Sequence, residues 1–187
     1  MHKFFKYGGI VASIVLIAFG AGSIYTGFTG RDQVQSDLAQ EQIVGTPDST
    51  IPNQLVDTGS EAQAFAKVMR KHTMEATGGK TYAQMPRYLD ANGKGTNDEK
   101  AAATDPKSGA PVANPARNIW VTETALTTAL NTAYFAESVA TFAIVMGFAL
   151  LLSGVGFLIL TLRVLREPAG EAESAKQAAP RQQAVTA

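Results

Sequence analysis

From Ser138 to Leu162 the chain runs for 25 residues without a charge, bounded by Glu137 on one side and Arg163 on the other. About 20 apolar residues, rising 1.5 Å each, cross a hydrocarbon core of roughly 30 Å. Inside lipid every backbone N–H and C=O must find a partner within the segment, so a stretch of this kind can only be a helix. A second apolar run, GGIVASIVLIAFGAGSIYTGF at Gly8–Phe28, follows a short basic start carrying Lys3 and Lys6. Two readings of this run compete. Small residues at Gly20, Gly22 and Ser23 fit the end of a cleaved secretory signal. Its continuation through Ile24, Tyr25 and Phe28, with Tyr7 and Tyr25 at interfacial depth, fits a retained span.

Basic residues flank both runs on the same side: Lys3 and Lys6 before the first, Arg163 and Arg166 after the second. The positive-inside rule then puts both termini in the cytoplasm and the segment between the runs outside it. The expected fold is an all-α membrane protein, a two-helix transmembrane hairpin with a small helical extracytoplasmic domain. Its parts are a cytoplasmic N-terminus (1–8), a first span (9–28), an extracytoplasmic domain (29–136), a second span (137–162) and a disordered cytoplasmic tail (163–187). The expected location is the plasma membrane, crossed twice.

Between the runs, Val34, Leu38, Ile43 and Val44 continue the first helix as an amphipathic extension, which Pro47 and Pro52 break. A soluble helix follows, with Ser60 as N-cap, Glu61 in its first turn and Gly78–Gly79 at its end. Ala62, Phe65, Ala66 and Met69 form its apolar stripe, completed by Thr73 or Met74. The stretch near 90–118 holds Gly, Asn, Asp, Ala and Pro but almost no large apolar side chain, and reads as a mobile loop. From Ile119 the pattern returns to helix and enters the second span without a breaker; continuous to Arg166, that helix measures about 70 Å.

Helices in lipid associate by close packing, which favours small residues at the contact. Positions 119, 126, 133, 140, 147, 154 and 161 read Ile, Leu, Ala, Ala, Gly, Gly and Thr, a seven-residue repeat that suits left-handed packing. On the first run, Ala18, Gly22 and Thr26 form a small-residue stripe expected to face Ala140, Gly147 and Gly154. The plainer reading is that Gly and Ala are common in membrane helices.

Lys+Arg and Asp+Glu both number 16, and a net charge of zero speaks against nucleic-acid binding. Cysteine is absent, which removes disulfides and thiolate chemistry. His72 and Glu75 share a helix face, but two ligands make an incomplete metal site, and a solvated pair is the simpler account. Glu123, one turn from Trp120, is expected to pair with a loop Lys or Arg. Glu137 is expected at the interface with its carboxylate in water. GGKT at Gly78–Thr81 lacks the earlier glycine and the preceding strand of a phosphate-binding loop. No cofactor, metal or catalytic set stands out, so the chain reads as a non-enzyme. A ligand groove is expected to gather Phe65, Met69, Trp120 and Tyr134.

The segments GRDQVQSDLAQEQI, EAQAFAKVMRKHTMEATGGKTYAQM and TETALTTALNTAYF together resemble a family of uncharacterised two-span membrane proteins common in actinobacteria. Thr122 stands where that family typically has a glycine before Glu123. The resemblance implies location and architecture and carries no catalytic residue. The expected role is an accessory or scaffold subunit of a cell-envelope membrane complex, in contact with lipid and with other membrane subunits or further copies of itself. The alternative is a ligand-sensing or lipid-binding domain on a two-helix anchor.

Overall fold

In a computed structural model the described residues are 2–164, with side chains described from 7 to 163. The tail beyond Val164, and with it Arg166, lies outside the described residues. Three helices dominate: α1 (His2–Gln40), α2 (Gly59–Ala76) and α3 (Ala116–Val164). α1 and α3 are both long and apolar enough to cross a membrane. Only 11% of each apolar window is buried by protein, so these are not the enclosed core helices of a water-soluble domain. The chain divides into two compact units, Met1–Tyr25 with Ala143–Ala187, and Thr26–Phe142.

In the first unit α1 and α3 pack through glycine. A Cβ added at Gly20 would lie 2.7 Å from the Gly147 carbonyl and 2.6 Å from Leu151 N. One added at Gly147 would lie 2.8 Å from the Gly20 carbonyl, and one at Gly154 3.0 Å from Ile17 N. The two backbones therefore touch where neither residue has a side chain. Ser13 is fully buried on the same face of α1, its hydroxyl satisfied by the Gly9 carbonyl at 2.7 Å. Ser13 and Gly20 are seven residues apart, matching the spacing of Gly147 and Gly154. The expected α1 stripe is displaced. Ala18 and Gly22 are exposed, and a Cβ at Gly22 would meet nothing within 4 Å. Thr26, already in the second unit, is exposed too. Small residues recur all round this helix, and only the register of the partner helix selects the contacting face.

The second unit is built on the C-terminal part of α1, α2 and the N-terminal part of α3. Its core is small: Leu38, Val56, Ala62, Ala66 and Leu130, with Val34, Ile43, Ile51 and Ala133 packed against it. α1 ends where Gln42 takes a left-handed φ of 51°, and the chain folds back on itself through Val56 N–H to Ile43 O (2.8 Å) and Gly45 N–H to Gln54 O (2.8 Å). Thr58, not Ser60, is the N-cap of α2. It forms a capping box with Glu61, in which the Glu61 carboxylate accepts from the Thr58 N–H at 2.9 Å. At the other end Gly78 and Gly79 adopt φ of +62° and +75°, and Gly79 N–H closes the turn on Met74 O. Of the α3 repeat, Ala133 and Ala140 are covered while Ile119 and Leu126 stay exposed. Trp120, Glu123 and Leu130 turn inward in their place.

The described residues are mostly helical, and the stretch read as a mobile loop adds a short strand pair to the three helices. Strands β1 (Tyr88–Leu89) and β2 (Gly95–Thr96) pair antiparallel around a turn whose Asp90 carboxylate accepts from the Asn92 and Lys94 N–H groups. Leu89 N–H bonds to Val112 O and Ala103 N–H to Leu89 O, and Asp105 accepts from the Lys107 and Ser108 N–H groups. Those two bonds hold the Asp105 carboxyl below its ordinary range. Backbone pairing and Asx turns fix the stretch without apolar burial.

Candidate functional site

Glu137 is the polar centre of the second unit. Its side chain is largely buried, and from α3 it takes charge and hydrogen bonds from the other two helices. Oε1 accepts from Arg31 Nε at 3.0 Å and from Gln35 Nε2 at 2.8 Å, both on α1. Oε2 accepts from the Gly59 N–H, the first residue of α2. A carboxylate at that point satisfies an otherwise orphan donor and faces the positive end of the helix dipole. Gly59 has no alternative: a Cβ there would lie 2.8 Å from Tyr134 Cα. The expected solvated Glu137 is thus corrected to a buried tie.

Two neighbouring carboxyls complete this end of α2. Burial raises Glu61, but hydrogen bonds from Thr58 and from the Asp57 and Thr58 N–H groups outweigh it and leave the group below its usual value. Its hydrogen bond to Asp57 pushes that carboxyl up instead.

The far end of α2 is held by Trp120, whose Nε1–H donates to Lys80 O at 2.9 Å and approaches Thr77 Oγ1 at 3.3 Å. The Arg70 guanidinium lies 5.2 Å from the ring centroid. One turn earlier on α3, Arg117 stacks 3.9 Å over the Tyr82 ring and donates to Met85 O. Glu123 is buried at 4% exposure, and its carboxylate accepts from the Thr124 hydroxyl at 3.3 Å. Among the described residues no Lys or Arg makes an ion pair with it, so the expected pairing is not formed.

Between these two ties lies an open groove of about 840 Å³. α1 supplies Val34, Asp37 and Leu38, the turn after it Glu41 and Ile43, and α2 Phe65 and Met69. Leu126, Ala129, Leu130, Ala133 and Ala136 of α3 form the remaining wall. The lining is mostly apolar, and among the described residues its only charged members are the two acids.

Of the four expected groove residues, the structure brings together Phe65 and Met69. Trp120 is spent on the C-terminal turn of α2. Tyr134 borders a separate recess of about 310 Å³ with Ser60, Ser138 and Thr141. The two aromatics point away because they lie on other faces of α3 than Leu126 and Ala133. No family model, curated protein or solved structure matches this chain.

Among the described residues no cluster of three His, Asp or Glu side chains could hold a metal ion. His72 Nε2 sits 2.9 Å from Asp48 Oδ2, which also takes Lys71 Nζ at 2.8 Å, so His72, read as solvated beside Glu75, meets a loop carboxylate instead. Hydrogen bonds from Lys71, then His72 and Thr46, hold Asp48 well below the usual carboxylate range, and Asp48 in turn raises Lys71. These groups lie at the surface and clasp the 46–49 turn to α2.

The signal that sequence reasoning missed was the pairing of Arg31 with Glu137. Each residue stands just outside an apolar run, and two opposite charges at matched ends of antiparallel helices are well placed to meet.

Proposed function

We propose that this protein is a non-enzymatic integral membrane protein of the plasma membrane, crossing it twice with both termini in the cytoplasm. It acts as an accessory or scaffold subunit of a larger cell-envelope complex. The observation that carries the reading is the open apolar groove in a unit whose buried polar groups are otherwise occupied with holding the fold. Large side chains left uncovered on α1 and α3 (Phe19, Val145, Leu152 and Phe157) support contact with lipid. The resemblance to two-span actinobacterial membrane proteins agrees with this placement.

Purification of the tagged full chain in a mild detergent tests the proposal: other membrane subunits are expected at fixed ratio, and recovery of the chain by itself would overturn it. A reporter inserted at Gly78–Gly79, an exposed turn, is expected to be accessible from outside the cell. Cytosolic exposure would reverse the topology. The second reading, a lipid- or ligand-binding head, draws on the same groove. Asp37 and Glu41 at its edge disfavour anionic lipid there.

A further inference from the structure

Resting on the accessory-subunit reading, we infer that the groove between α1, α2 and α3 seats an amphipathic helix of a partner protein, with an apolar face inward and two basic side chains one turn apart. The wall on α3 from Leu126 to Ala136 is roughly 15 Å long by helical rise, room for about three turns of a docked helix. Ala129, Ala133 and Ala136 leave its floor shallow, so a helix backbone can approach closely while Leu126, Phe65 and Met69 meet its larger side chains. Leu126 is 48% exposed without such an occupant.

Charge selects the occupant. Asp37 stands in the last turn of α1 and Glu41 is the first residue past its end, and both line the groove. Among the described residues no Lys, Arg or His lines it. A helix with Lys or Arg at matching i, i+4 positions satisfies these two acids, whereas an anionic headgroup or an acidic helix is repelled. A second copy of this chain is a poor fit. Its α2 carries Lys67 and Lys71 at the right spacing, but the apolar stripe of α2 is already buried or half-buried in its own unit.

The test places a photo-crosslinking benzoylphenylalanine at Leu126 of the full chain in its native membranes, and in a separate sample at Phe157, an exposed position in the apolar part of α3. Adducts are mapped to peptides by mass spectrometry. At Leu126 the expected product is one protein, crosslinked through a segment with apolar residues at i, i+3/i+4 and i+7 and Lys or Arg at i, i+4. Its yield falls at least fivefold in the D37K/E41K variant, while any Phe157 adduct is unchanged. An adduct to a second copy, to phospholipid or to a segment lacking that basic pair overturns the inference, as does a yield indifferent to charge reversal. A protein adduct at Phe157 with none at Leu126 overturns the groove assignment and leaves the accessory role standing. No protein adduct at either position overturns both.

Discussion

Glu137 accepts from a guanidinium, a side-chain amide and the first N–H of a helix. Removing it takes that acceptor from all three, which costs more than the net value of the contacts themselves. Glu137→Ala is expected to destabilise the second unit by about 2 kcal/mol, a figure kept below that for a fully buried pair because the Arg31 side chain is 43% exposed. Glu137→Gln retains acceptor capacity and should lose roughly half as much. Thermal unfolding followed by circular dichroism in detergent checks the order, and equal losses would mean that charge contributes nothing.

Asp48 gives a different signature. Its folded-state pKa is depressed, so its contribution is complete above the unfolded value near 3.8 and is lost as pH falls below that. Lys71 is shifted upward, so its share persists below 10.5 and disappears only as pH rises through the raised value. The clasp between the 46–49 turn and α2 should therefore be flat from about pH 5 to 9 and open in acid. Amide exchange at Ser49 and Ile51 is the measurement, and Asp48→Asn should abolish the acid dependence.

At the scale of elements, the α1–α3 contact depends on the absence of side chains at particular glycines. Gly147→Val and Gly154→Val must push the helices apart, since the added Cβ would fall at or within 3.0 Å of α1 backbone atoms. Gly156→Val and Gly22→Val meet nothing within 4 Å and should be silent. The thermal midpoint in detergent is expected to drop by several degrees for the first pair and by under one degree for the second. The same set shows what sequence could and could not resolve. Two apolar helices and the α2 segment were legible because charge-free length and 3.6-residue periodicity are local properties. The face of α1 in contact was not, because Gly, Ala, Ser and Thr occur on every side of it. Order in residues 90–113 was equally hidden: it arises from carbonyl and amide pairing across turns, which leaves no mark in hydrophobicity. Thr58 and Ser60 each have a capping-box partner three residues on, Glu61 and Gln63, so the local pattern does not choose between them. Thr58→Ala should cost about 1 kcal/mol, read from the same unfolding curves.

For the whole molecule, the polar and apolar resources are divided. Buried carboxylates and the indole are committed to fixing α2 on α3, and the uncommitted surface of the second unit is a groove with an acidic edge. Of the partners of Glu137, which lie 106, 102 and 78 residues away, only Arg31 left a signal in the chain, as the opposite charge at the matching end of the other apolar run. Trp120 adds a practical consequence. It is the only tryptophan of the chain, and its ring nitrogen is tied to the turn that closes α2. The protein thus carries its own optical gauge: should α2 lift from α3 when the groove is filled or emptied, the emission maximum shifts to the red without any dye attached. A constant maximum would report a seat that stays rigid.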